Sequence, residues 1–212
     1  MNLIDKFDKH LSKWSIPYFF NFILILHFLG YISIIFSDID INRLILTKDL
    51  LFDGEIWRCI TFLLIPGSKD FLYLFMFYVF YMIGNSMEQH WGSSKFNGFV
   101  LIIYMLTILS TIISPINSII PNWYIFSAVF LAFSTIFSDV QFHLFFVIPV
   151  RVKWLGWIKF VYMLLMLSVS SERWAVLSAF FTYFLFFNSD IINIFKKYKR
   201  RYDFKNNINN ED

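Results

Sequence analysis

Glu55-Ile-Trp-Arg-Cys-Ile-Thr-Phe-Leu-Leu-Ile-Pro-Gly-Ser-Lys-Asp70 runs into an aromatic stretch at 71–87, which ends in Glu88-Gln-His-Trp-Gly-Ser-Ser-Lys95. The fold is decided here. Trp57-Arg58 opens an apolar segment too short to span a bilayer, and Pro66-Gly67 stops it. Ser68-Lys69-Asp70 supplies helix-start residues. The aromatic stretch is long enough to cross most of a bilayer as a helix. Gly84, Glu88 and Gly92 follow four apart, on one helix face. Two glycines there let another backbone approach closely, as in membrane helix contacts built on small residues. The carboxylate between them is placed to bond backbone N–H groups, a hydroxyl or a cation. We expect this face to pack on another helix with Glu88 hydrogen-bonded there. The alternative is a carboxylate facing water, which is what helix ends usually present.

Composition sets the class. Of 212 residues, 58% are hydrophobic, 22% aromatic and only 16% charged, and the mean hydropathy is +0.61. A soluble domain of this length cannot hide that much apolar surface. Long uncharged runs indicate an all-α, polytopic membrane protein. The single cysteine, Cys59, excludes an intrachain disulfide framework and a cysteine-based metal site. The abundance of Phe, Ile, Asn and Lys reads as nucleotide bias.

Outward from the central stretch, the chain divides into an amphipathic N-terminal segment at 1–16, a six-helix membrane domain at 17–189 and a basic, polar tail at 190–212. The first segment carries Asp5, Lys6, Asp8, Lys9 and Lys13 among apolar residues and reads as an interfacial helix. Asp5 and Asp8 argue against a signal peptide. The spans are read at 17–36, 71–87, 98–113, 123–137, 154–169 and 174–187. Ile119-Ile120 is a possible backward extension of the fourth. The segment 37–58 is a long polar loop, and 59–66 is read as a loop dipping into the interface. His27, inside the first span, is expected to be neutral and hydrogen-bonded at a helix contact rather than a metal ligand. Lys159 is expected to snorkel to the headgroups from near the start of the fifth span.

The Lys/Arg bias orients the chain. The tail holds Lys196, Lys197, Lys199, Arg200, Arg201 and Lys205, whereas the loop 114–122 is uncharged. Both termini are therefore expected in the cytoplasm, with the first loop outside. The basic tail is read as a contact for anionic headgroups. Nothing indicates nucleic-acid binding, a metal or another cofactor.

Six short spans, Trp57-Arg58 in a long first loop, and Gly84, Glu88 and Gly92 ending the second span resemble the rhomboid superfamily. The resemblance continues through Trp91-Gly-Ser-Ser-Lys95 and returns at Phe142-His-Leu-Phe-Phe-Val-Ile-Pro149, which is similar to that family's phenylalanine-rich stretch between the fourth and fifth spans. It covers the chain from the first span to the sixth. It implies a six-helix rhomboid-like bundle in which Trp57 and Arg58 brace the first loop, Arg58 by bonding loop carbonyls. Taken alone, the pair would read as an interfacial tryptophan and a positive flank.

Rhomboid proteases use a serine in a G-x-S-G turn on the fourth span, a histidine on the sixth, and an H-x-x-x-N pair on the second. A serine hydroxyl needs an adjacent base, and the oxyanion needs donors. Here the H-x-x-x-N positions fall on Leu72 and Met76, the sixth span has no histidine, and Ser127 lies in Tyr-Ile-Phe-Ser-Ala without either glycine. Ser127 is the only weak nucleophile candidate, with His27 and His143 as alternative bases. Its other reading is a small hydroxyl bonded to the carbonyl four residues back, and Ser134 reads the same way. The resemblance therefore implies a non-enzymatic, rhomboid-like pseudoprotease in a bacterial-type cell membrane, binding membrane-protein clients. A derlin-like quality-control component in the endoplasmic reticulum and an active protease with an atypical site are the alternatives. A transporter would carry charge in mid-span, and none is read there. Oligomeric state is left open.

Overall fold

The computed structural model describes residues 15–37, 40–144, 148–169 and 172–187. Most of the amphipathic segment, the basic tail, Phe145 and Phe146 of the phenylalanine-rich stretch, and Ser171 lie outside the described residues.

Most of the long apolar runs form helices. The first is α1, Phe19–Phe36. The polar break after it folds as a 3-10 turn at Ile41–Arg43, two short helices, α2 at Lys48–Phe52 and α3 at Arg58–Thr61, and a second 3-10 turn at Phe62–Leu64. Then come α4, Tyr73–Trp91, α5, Ser93–Ile113, and α6, Trp123–Ile136. A hairpin of β1, Gln141–Leu144, and β2, Ile148–Arg151, precedes α7, Val152–Val169. The last described helix, α8, is Arg173–Phe187. The chain is mostly helical. By length and composition, α1 and α5 are long and apolar enough to cross a membrane, whereas α6 and α8 are shorter apolar helices.

Four local readings change. Within 59–66, Cys59 to Leu64 is helical rather than a loop, because backbone N–H groups from Cys59 to Thr61 find carbonyls at Ile56 and Trp57, and Ile65 and Pro66 alone leave the helix. The polar residues between the second and third runs stay helical, so α4 and α5 are separated only at Gly92, at φ 79°, ψ 155°. Backbone of that kind is essentially restricted to glycine. An antiparallel ribbon also stands in an otherwise helical chain, with Phe142 opposite Val150 and His143 opposite Pro149. Proline is tolerated because both strands of a two-stranded ribbon are edges. Ile119-Ile120 does not extend α6; the Ile120 N–H instead donates to the Leu46 carbonyl.

The core is centred on α6. Ten of its fourteen residues are buried, among them Ile125, Ala128, Val129 and Ala132. Helix α5 packs Phe96, Phe99, Val100 and Ile103 into the same core. Small residues set the closest approaches. A Cβ on Gly156 of α7 would fall 2.3 Å from Ser134 Oγ of α6. A Cβ on Gly30 of α1 would fall 2.0 Å from the Leu64 carbonyl oxygen, so the second 3-10 turn lies directly on α1. Helix α4 packs on α1, α5 and α6, and α7 packs on α6.

Candidate functional site

The first loop is pinned by side chains that donate to its carbonyls. Arg58 is buried at the first turn of α3. Its guanidinium donates to Asn42 O at 2.7 Å and Ile45 O at 3.0 Å, and pairs with Glu55 at 2.5 Å. Asn122, just ahead of α6, donates to Phe62 O, Leu63 O and Ile65 O at 2.8–3.2 Å. Tyr104 Oη donates to Cys59 O at 2.9 Å. Buried carbonyls need such partners. Trp57 does not share this role. It is 56% exposed, and only its carbonyl takes part, accepting from Ile60 and Thr61 N–H. The inward side of that turn is taken by Arg58. Burial pushes the Cys59 thiol up, which keeps it in its less reactive neutral form.

At the opposite end of α4, Glu88 joins three helices. Its carboxylate accepts from the Tyr18 N–H at 2.9 Å and from Ser93 Oγ at 2.6 Å. Tyr18 is the residue before α1 and Ser93 the first residue of α5. The carboxylate thus meets an orphan N–H at a positive helix end. Gly84 faces α1, where a Cβ would come 2.5 Å from Phe20 Cδ1. Gly92 does not belong to this contact: a Cβ there would meet nothing within 4 Å. Its place is set by backbone conformation rather than close packing.

Between these two regions lies an open, mainly apolar cavity of about 960 Å³. Helix α6 forms its back, and α4 and α7 its sides. It extends from Gly67 and Ser68 at the head of α4 to Gln141 and Phe142 of the hairpin. His27, Ser127 and Lys159 all line it.

Ser127 donates its hydroxyl to the Trp123 carbonyl at 2.7 Å. His27 approaches the Phe126 ring, centroid to centroid at 5.0 Å, but both its nitrogens are engaged elsewhere. Nδ1 lies 2.7 Å from the Leu63 carbonyl, which can only accept, so Nδ1 carries a proton. In the neutral ring, Nε2 then accepts from Tyr73 O–H at 2.9 Å. No hydrogen bond joins His27 to Ser127. The side chain of His143 lies outside the described residues.

Lys159 departs from the snorkelling expectation. Helix α7 starts at Val152, so Lys159 is seven residues inside an eighteen-residue helix. Its ammonium sits 3.4 Å from the centroid of the Trp123 ring and 5.7 Å from that of Tyr162. The indole face attracts the cation electrostatically.

Sequence reasoning missed Asn122, Tyr104 and Gly30 as loop supports, and Lys159 as a cavity residue. The Pro121-Asn122 pair ahead of an apolar run was a visible sign of a helix start, but not of its carbonyl partners. Comparison with family models, with curated proteins and with solved structures gives no match.

Proposed function

We propose that this chain is a non-catalytic, rhomboid-like membrane protein that holds transmembrane segments of other proteins between α4 and α7. Six helices, α1 and α4 to α8, cross the bilayer, with both termini in the cytoplasm and the first loop outside. A bacterial-type cell membrane is the preferred location, with a derlin-like endoplasmic-reticulum role second. The observation that carries the reading is an apolar cavity with Ser127 on its wall and, among the described residues, no base bonded to it. A serine in that state lacks the partner that nucleophilic catalysis requires. What is left is a surface suited to holding an apolar segment.

The bundle's outward faces support the membrane setting. Phe22, Ile25 and Leu29 of α1 and Trp154, Trp157 and Leu165 of α7 are exposed large apolar residues. In water such patches would drive association. Helix α6 has fourteen residues, roughly 21 Å at ~1.5 Å per residue. That is short against a hydrocarbon core of about 30 Å, and such mismatch thins the surrounding lipid.

Photo-crosslinking residues placed at Met76 and at Ile158, on the two sides of the cavity, should capture membrane proteins in native membranes. The same residue at Ile25, on the outer face of α1, should capture far fewer. Equal capture from all three positions would remove the cavity from the reading. Labelling by a serine-reactive fluorophosphonate that disappears in Ser127→Ala would overturn the non-catalytic part.

A further inference from the structure

We infer that the segment held between α4 and α7 carries a carboxylate within its membrane-buried length, and that Lys159 is the residue that selects it. This inference rests on the client-binding reading above.

Among the described residues no carboxylate lies within ion-pair distance of Lys159, and its recorded partners are the rings of Trp123 and Tyr162. A lysine inside a membrane helix is costly and as a rule faces a partner or a cavity. Here it faces a cavity whose other lining is mainly aromatic and aliphatic. An acid in a single crossing helix carries a comparable cost at mid-membrane. Each charge relieves the other when they meet. A neutral apolar segment offers Lys159 nothing beyond what lipid already provides.

Depth and shape choose a protein segment over a lipid headgroup. Lys159 lies seven residues from Val152 and ten from Val169, about 10 and 15 Å along the helix. Headgroups sit at the ends of that span, not at its middle. The cavity is also long. Leu155, Ile158, Lys159 and Tyr162 line it from α7, and α4 contributes from Tyr73 to Met82. Residues three, four and seven apart form one helix face. A second helix laid along this trough would present one residue to Lys159 at a fixed register.

The test uses single-span leucine–alanine peptides in phosphatidylcholine vesicles, with binding to the full-length protein read by energy transfer. The peptides are all-neutral, or carry one Asp, or the isosteric Asn, at successive depths. We expect the Asp peptide to bind about tenfold more tightly than its Asn counterpart at one register, or about 1.4 kcal/mol. Lys159→Gln should abolish that preference, and Lys159→Arg should keep it. Equal binding of Asp and Asn peptides by the native protein, or a preference that survives Lys159→Gln, overturns the inference while client binding stands. Loss of the preference on adding anionic phosphatidylglycerol assigns Lys159 to headgroups and also overturns it. Absence of binding by every peptide sinks the client-binding reading itself.

Discussion

Glu88 at the end of α4 accepts a hydrogen bond from the backbone N–H of Tyr18, the residue before α1, at 2.9 Å. The two are seventy positions apart in sequence. The same carboxylate takes the Ser93 hydroxyl, so one side chain sets where three helices meet. Nearby, Asn21 donates to Asn85 at 3.0 Å, and Asn97 donates to the Ile16 carbonyl at 2.7 Å. This end of the bundle is held by directed polar bonds, whereas α6 is held by packing. Tyr18 adopts φ 60°, unusual outside glycine, and the Glu88 contact helps to hold it there.

Glu88→Leu should destabilise by roughly 1–3 kcal/mol, because it leaves the Tyr18 N–H and the Ser93 hydroxyl without their acceptor. Glu88→Gln retains a carbonyl oxygen and should cost about half as much. Thermal melts in detergent or steric trapping in bicelles separate the variants. Near-neutral results for both would reduce Glu88 to an exposed helix-end charge.

The two glycines flanking Glu88 should respond differently. At Gly84 an added side chain meets Phe20, so Leu should cost more than Ala, on the order of 1–3 kcal/mol. Phe20→Leu should restore part of the loss. At Gly92 there is room but the backbone is forbidding, so Ala and Leu should cost alike, about 1–3 kcal/mol. No neighbouring change should rescue Gly92. Stability measured on the four single variants and the Phe20 double variant decides the matter.

Much of the helix pattern was legible because apolar runs and breakers are local signals. Pro66-Gly67 and Pro115 both ended segments where the chain does break. Gly84 and Glu88 were legible as a spacing, although spacing alone could not say that Phe20 and Tyr18 are their partners. Gly92 shares that spacing for a different reason, a positive φ that no periodicity reveals. Lys159 was misread because its depth depends on α7 starting at Val152 rather than Trp154, and on Trp123 lying within reach. The β1–β2 ribbon was hidden by its length, since a four-residue apolar run fits a strand or a helix turn equally well.

Arg58→Ala should cost roughly 2–3 kcal/mol, since it strips the Asn42 and Ile45 carbonyls of donors and leaves Glu55 without its cation. Glu55 is partly exposed, which keeps the cost below that of a fully buried pair. Arg58→Lys should recover only part, because an ammonium lacks the planar fork that reaches both carbonyls and the carboxylate. Proteolysis within 37–57 should rise in step with the loss of stability. Unchanged melting and unchanged cleavage in Arg58→Ala would leave Arg58 as a topology signal alone.

Asn122 gives the sharpest contrast, because its amide faces three carbonyl oxygens. Asn122→Ala removes the donor and should cost about 1–3 kcal/mol, with Leu63 O still bonded to His27. Asn122→Asp keeps the shape but points an acceptor, ionised at neutral pH, at those carbonyls. It should therefore be worse than Ala at pH 7. A carboxyl buried among carbonyls has its pKa raised in the folded protein, because its neutral form can donate while its charged form cannot. Stability linked to a raised carboxyl pKa is present below the unfolded value, about 3.9 for Asp, and is lost as pH rises through the folded value. The Asp variant should thus approach the native protein in acid and fall below the Ala variant towards neutrality. Melting Asn122→Asp beside Asn122→Ala across pH 4 to 8 shows the crossing if Asn122 acts through these bonds. Parallel curves would mean that the Asn122 position tolerates any small side chain and that the loop is held by Arg58 and His27 without it.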